Sequence, residues 1–490
     1  MGQIRLTRPS KLFVFALLWL APLAGAVPVA AGRELATGVS FMSDVNPVAF
    51  EHVAATGSTF VQSPLVWPQV APKNEPPHWD PSDPADPHYD WRAVDAWVTA
   101  AVSQGLEPVL QVSGAPPWAE GCAVPGMWET SVCAPDPTKL ADFARAASLR
   151  YSGRFGGLPR VRFWQGLNEP NLGILFRPQF EGGKAVSADL YRKLVNAFYF
   201  AVKSSNPTDL VLAAGLSPIA RPGSTVGPMR FARELLCMAG RADPHPLAGD
   251  CEGGVHFDVF DIHPYTTGGP THKGHLDDVE LGDLPKLQEL LGAADRAGRI
   301  EGRFPRTPLW ITELSWDSKP PDPGGLPMSI LERWTAEALY RAWAAGVSHF
   351  FWYSLRDEAP DPKRSFSETL ESGLYFRGPS LAEDRPKPSM YAFRFPFVAY
   401  TQKGGFSYWG RTPTSTGGRV ALEVFEGGEW RRAGVARASG SGIFTGSVAT
   451  AYGRTRHGRV RARFEGEESA PFSLRPVRDF HQAPFGNPVG

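Results

Sequence analysis

The chain has 490 residues, with 50 Lys+Arg balanced by 50 Asp+Glu, a length that suggests about two to four domains. Hydrophobic residues at 42% and charged residues at 20% exclude a disordered chain. The absence of a basic surplus argues against nucleic-acid binding. The 51 Gly and 47 Pro fall short of the roughly 25–30% typical of low-complexity sequence, so they act as loop punctuation.

Arg5, Arg8 and Lys11 precede an uncharged stretch from Leu12 to Ala31 that ends in small residues. A basic lead, an apolar segment and a small-residue site predict a secretory signal over 1–31 and an extracytoplasmic destination. A membrane anchor is the alternative, because the stretch approaches the ~20 residues of a span. Pro22, Gly25 and Pro28 dilute its second half. No second candidate span follows, so no membrane association is expected once the signal is cleaved. Four cysteines suit an oxidising compartment. Cys122 with Cys133, and Cys237 with Cys251, each bracket a short loop, and these two local pairings are the expected disulfides among three possible connectivities. A zinc site is the other reading, but no CxxC pair occurs.

Between residues 37 and 397 short apolar runs alternate with amphipathic stretches. The predicted strands are Thr37–Met42, Thr59–Ser63, Pro108–Ser113, Val161–Leu167, Leu210–Ala214, Phe257–His263, Leu309–Glu313 and His349–Ser354. The predicted helices are Val48–Ala55, Trp91–Gln104, Thr138–Tyr151, Ala188–Ser204, Met229–Met238, Leu284–Ala297, Ile330–Ala345 and Met390–Phe397. Strict alternation implies right-handed βαβ units and a parallel sheet. Eight units fit a (β/α)₈ TIM barrel over residues 32–398. A doubly wound open sheet is the alternative, although its glycine fingerprint is missing after the first strand. Past Pro396 the texture turns all-β. Alternating runs at Gly418–Glu426, Glu429–Ala438, Ile443–Ala451 and Arg459–Glu465 predict a small C-terminal β-sandwich accessory domain over 405–480. Trp409 and Trp430 lie in it, as core or as stacking residues.

Two glutamates carry the functional reading. In Val161-Arg-Phe-Trp-Gln-Gly-Leu-Asn168-Glu169-Pro170-Asn171 a strand runs into Asn-Glu-Pro, and in Leu309-Trp-Ile-Thr-Glu313 another strand ends on Glu. Strand carboxyl ends form the active-site face of such a barrel, so Glu169 and Glu313 are expected to share one pocket from the fourth and seventh strands. Paired carboxylates disfavour double ionisation, leaving one protonated near neutral pH. Glycoside cleavage uses that asymmetry: one group protonates the leaving oxygen while the other attacks the anomeric carbon. In Phe257-Asp-Val-Phe-Asp261-Ile-His263-Pro-Tyr265 a period of two sets Asp261, His263 and Tyr265 on one face. A core histidine is the bland reading of His263. Trp352 ends the eighth strand, where it would floor a sugar subsite. Trp118, after the third strand, would form a wall.

The segments WQGLNEPN, FDIHPY, ITELSW and FFWYS resemble those of retaining glycoside hydrolases of clan A, and within that clan family 39, which includes β-xylosidases and exopolysaccharide hydrolases. The resemblance covers roughly residues 37 to 397. It implies that Glu169 is the general acid/base, Glu313 the nucleophile, Asn168 a ligand of the sugar 2-OH, Tyr265 the partner that orients and ionises Glu313, and His263 part of the same pocket. No counterpart is evident for the polar residues that line the second and third strand ends in this clan. The sequence thus predicts a secreted enzyme that cleaves O-glycosidic bonds of a polysaccharide or oligosaccharide by double displacement. Its partner would be the carbohydrate, with no cofactor or metal. A non-catalytic carbohydrate-binding or envelope-assembly protein on an inactive barrel is the alternative. A barrel lyase or aldolase would need a Schiff-base lysine or a metal at a strand end.

Overall fold

Eight apolar runs close into one parallel barrel in the computed structural model, which describes residues 33–123, 128–247, 254–449 and 458–475. The expected signal segment lies outside these residues, as does Cys251 and with it the test of a Cys237–Cys251 bridge. The barrel strands are β1 (Ala36–Val39), β2 (Phe60–Val66), β3 (Glu107–Ser113), β4 (Phe163–Gly166), β5 (Leu210–Leu216), β6 (Val259–Ile262), β7 (Leu309–Leu314) and β8 (Val347–Trp352). They pair in chain order, and β8 returns to β1. This is the (β/α)₈ barrel, not the open sheet. Its strands read as continuous apolar runs because both faces are covered.

Apart from a single turn at Trp67–Val70, the α-helices among the described residues are α1 (Pro47–Ala55), α2 (Arg92–Ser103), α3 (Pro137–Arg150), α4 (Ser187–Ser205), α5 (Pro228–Leu235), α6 (Leu284–Arg296), α7 (Met328–Ala345) and α8 (Pro388–Arg394). Local chemistry sets their ends. The Asp136 carboxylate accepts from Thr138 N and Lys139 N at the start of α3, and Gly346, left-handed at φ 93°, ends α7. Two predicted ends shift. α5 stops at Leu235, before Cys237 adopts φ 54°. α8 stops at Arg394, because Pro396 disfavours helical geometry at Phe395. The Cys122–Cys133 disulfide forms, with Cα atoms 5.4 Å apart.

Inside the barrel the side chains form layers. Phe60, Val109, Phe163, Leu212, Val259, Trp310 and Phe351, one from each of β2 to β8, build a separate apolar plug. Two residues further along, on the same inward face, stand Gln62, Gln111, Gln165, Asp261 and Thr312, all buried. The period of two thus stacks a polar layer on the plug, beneath the carboxyl ends of the strands.

The β-module begins at Phe397, directly after α8 and eight residues before the expected start at 405. The hairpin β9 (Phe397–Gln402) and β10 (Gly405–Arg411) joins β13 (Ile443–Ala449) in one sheet. β11 (Gly418–Glu426), β12 (Glu429–Ala438) and β14 (Arg459–Phe464) form the other, with two short strands at Glu467–Glu468 and Phe472–Ser473. The module is fastened to the barrel. Arg411 is fully buried and donates to Leu35 O (3.1 Å) and Thr37 Oγ1 (3.0 Å) of β1 and its approach. Arg394 forms a two-point ion pair with Glu467, and Trp409 packs on Tyr340 and Trp343 of α7. Among the described residues no helix is long and apolar enough to cross a membrane.

Candidate active site

At the carboxyl ends of the strands lies a cavity of about 1040 Å³, lined by residues that end or follow all eight strands, among them Phe41, Pro64, Ser113, Glu169, Ser217, Tyr265, Glu313 and Tyr353. Glu169 and Glu313 do share it. Neither is aimed by simple alternation. Leu167 (φ 64°) and Glu169 (φ 45°) occupy the left-handed region, where side chains other than glycine are strained. These residues turn the chain after β4 so that the carboxylate enters the cavity. On β7, Thr312 faces the barrel axis and strict alternation would turn Glu313 away. The pairing with β8 shifts register between Ile311 and Leu314, an irregularity of the kind that re-aims a side chain.

His263, fully buried, stands between the two acids. Its Nδ1 lies 3.1 Å from Glu169 Oε1 and 3.5 Å from Glu313 Oε2, and these two contacts, 3.1 and 3.5 Å, cap the separation of those oxygens at about 6.6 Å. Its Nε2 is 3.0 Å from Thr312 Oγ1, which donates its own proton to Asp261 Oδ2 at 2.9 Å. The hydroxyl proton is thus committed, so Nε2–H donates to Thr312 and Nδ1 is the ring atom that shares a proton with Glu169. His263 is therefore a fully engaged core residue and a member of the site at once. Tyr265 donates to Glu313 Oε2 at 3.0 Å.

The two carboxyls are unequal. Their side chains are only 13% and 12% exposed. Burial pushes Glu169 up to about 8. Burial also raises Glu313, and Glu169 adds to that, but His263 and the Tyr265 hydroxyl oppose it and hold Glu313 at about 7. Glu169 keeps its proton to higher pH than Glu313 does.

Asn168 also lines the cavity. Gln111 Nε2 donates to its Oδ1 at 2.8 Å, Gln165 Nε2 approaches at 3.4 Å, and Gln62 Nε2 holds Gln165 Oε1 at 2.6 Å. With its carbonyl oxygen engaged from below, the Asn168 amide is oriented by the polar layer. Gly215 on β5, at φ 54°, makes room: a Cβ there would lie 2.6 Å from Gln165 Nε2 and 3.1 Å from both Asn168 Oδ1 and His263 Nε2.

Two of the expected aromatics do not line this cavity. Trp352 is fully buried, donates to Ser372 O at 2.7 Å and packs on Trp316 and Phe393. It faces outward from the barrel, and the next residue, Tyr353, lines the cavity instead. The run Phe350-Phe351-Trp352-Tyr353 is aromatic on both faces, so composition could not show which side points inward. Trp118 donates to Pro72 O at 2.9 Å and packs edge-on against Trp67 and Trp79. It lines a separate cavity of about 320 Å³ beside Lys139 and Lys193. Gln111 lines the cavity and Gln62 lies in the polar layer holding Gln165, and sequence reading singled out neither. The signal available was their shared spacing, two positions after an inward apolar residue.

Two buried strand-end acids thus face one cavity of a (β/α)₈ barrel, and comparison with solved structures bears on that fold. No protein-family model matches the chain, and no curated protein does. A family 39 glycoside hydrolase from the gut symbiont Bacteroides cellulosilyticus is 17% identical over 85% of this chain and 79% of its own, with a TM-score of 0.52. A family 39 enzyme from Xanthomonas axonopodis pv. citri and a monomeric β-xylosidase from Caulobacter crescentus each align at 15% identity and a TM-score of 0.49. They cover 85% of this chain and 92% and 94% of their own. The chain has the fold of the Bacteroides family 39 enzyme.

Proposed function

We propose that this protein is a secreted retaining glycosidase that cleaves O-glycosidic bonds of an oligosaccharide or polysaccharide, with Glu169 as acid/base and Glu313 as nucleophile. The observation that carries this reading is the bridged pair itself: two buried carboxyls at the ends of β4 and β7, both within reach of His263 Nδ1, with the higher pKa on Glu169. The cap of about 6.6 Å on their facing oxygens leaves little room for the water that an inverting enzyme seats between carboxyls about 6.5–9.5 Å apart. It accommodates the roughly 5–5.5 Å of a retaining pair.

In the first step the ionised Glu313 attacks the anomeric carbon while Glu169 gives its proton to the departing glycosidic oxygen. The bond to the leaving sugar breaks as the bond to Glu313 forms. In the second step Glu169, now a carboxylate, takes a proton from water, which displaces Glu313. Tyr265 stabilises the charged Glu313 between turnovers. The Asn168 amide, pinned by Gln111, is placed to hydrogen-bond the hydroxyl next to the anomeric carbon. Secretion draws support from the N-terminal sequence and the Cys122–Cys133 disulfide.

A screen of aryl glycosides and polysaccharides, with the anomer of the first-formed product followed by NMR, tests the reading. Retention of configuration is expected, with turnover absent in Glu313→Gln. Inversion, or no cleavage of any glycan, would overturn it.

A further inference from the structure

Behind the cavity wall three carboxylates meet. Asp317 and Asp322 lie on the loop after β7, and Glu371 lies on the loop after β8. They are 2%, 3% and 4% exposed. One carboxylate oxygen of each lies within 4.8 Å of the others. The loops are already tied by backbone contacts: Ser318 N donates to Glu371 O at 3.1 Å, and Glu371 N donates to Asp317 Oδ1 at 3.0 Å. Asp322 Oδ1 accepts from Gly324 N at 2.7 Å. Yet Asp317 Oδ2, Asp322 Oδ2 and Glu371 Oε2 are buried with no hydrogen-bond partner. A buried, unpartnered carboxylate oxygen is costly, and three together add mutual repulsion.

The neighbouring lysine gives no hydrogen bond to these three oxygens. An ammonium has three protons to give, and Lys387 places its own on Ser318 Oγ (2.8 Å), the Glu371 backbone oxygen (2.9 Å) and the Asp357 carboxylate. Its charge is thus matched by a fourth acid, Asp357.

We infer that Asp317, Asp322 and Glu371 bind a divalent cation, of calcium type, that clamps the β7 loop to the β8 loop. The donors are all hard oxygens from carboxylates, which select calcium or magnesium over the softer transition metals. Calcium–oxygen bonds of about 2.3–2.6 Å allow ligands on opposite sides of the ion to stand nearly 5 Å apart, whereas magnesium, at about 2.0–2.1 Å, requires a tighter set. The clamp has a place in the architecture. The β7 loop follows Glu313, and Glu368, Thr369 and Leu370, just before Glu371, line the cavity. Holding the two loops together fixes that wall, whether or not the cavity hydrolyses glycosides.

The test uses the full chain. Protein equilibrated with calcium and then desalted is expected to carry about one calcium by elemental mass spectrometry. Chelator-treated protein titrated with calcium chloride should bind one ion, with magnesium chloride weaker. At calcium a hundredfold above its Kd the melting temperature should rise by roughly 3–6 °C over chelator. Asp322→Asn and Glu371→Gln should each weaken calcium binding at least about tenfold and lose the thermal response. No stoichiometric calcium, together with a melting temperature indifferent to calcium and chelator, overturns the inference. So do variants that melt higher than the chelator-treated wild type and bind calcium as well as wild type does, which would mark a cluster that shares protons.

Discussion

Glu169 and Glu313 are chemically the same side chain, and their surroundings separate them. With Glu169 at about 8 and Glu313 at about 7, the productive form, with Glu169 protonated and Glu313 ionised, peaks between the two. A plot of kcat/KM against pH is expected to be a narrow bell with limbs that belong to the pair. Tyr265→Phe removes a donor to the charged nucleophile, so the acidic limb should move upward and the bell should narrow; an unmoved limb would exclude that role for Tyr265. The same raised values bear on stability. Both groups hold protons in the folded state that the unfolded chain has released, so their contribution is present below about pH 4.5 and fades as pH rises through about 7 and 8. Glu169→Gln should flatten that decline in urea titrations run across this range, while reducing kcat/KM for substrates with poor leaving groups about 10²–10⁴-fold. Gly215→Ala should lower kcat/KM by roughly a hundredfold, through displacement of Gln165, Asn168 and His263. Wild-type activity in that variant would mean the polar layer tolerates movement.

At the scale of the element, strand β8 makes a separable prediction. Trp352 and Tyr353 are neighbours that face opposite ways. Trp352→Ala should cost about 3–5 kcal/mol of stability through its packing on Trp316 and Phe393, whereas Tyr353→Ala should keep the fold and lose at least tenfold in kcat/KM. Denaturant unfolding and kinetics on the two variants decide this, and the reverse pattern would place the inward face on Trp352. The elements themselves were legible in the sequence, because short apolar runs alternating with amphipathic ones admit few arrangements. Glu169 and Glu313 were legible too, as acids where a strand stops. Facing was not. A strand covered on both sides carries no polar stripe to show its inner face, and a register shift such as that at Ile311–Leu314 inverts any count of alternation. The Asp317–Asp322–Glu371 cluster was equally hidden, since its members come from two loops and share no local spacing.

Over the whole molecule, the β-module packs against the barrel. Its first strand was not legible in the sequence, because Phe397–Gln402 continues the aromatic texture of α8 and only its pairing with Gly405–Arg411 reveals a hairpin. Arg411, buried against β1, and Trp409, on α7, belong to the joint between barrel and module and not to a glycan surface. A chain truncated after residue 396 should lose soluble yield or melt at least about 10 °C lower, because it bares an apolar face. An unchanged melting temperature would instead assign the module to targeting. Joined in this way, the barrel presents one deep cavity with two unequal acids across it. Treatment with a panel of activated 2-deoxy-2-fluoro glycosides, followed by peptide mass spectrometry, reports on those acids. One glycosyl group on the peptide containing Glu313, absent in Glu313→Gln, is the expected result; attachment to another residue, or no adduct from a sugar whose parent glycoside the enzyme cleaves, would contradict it.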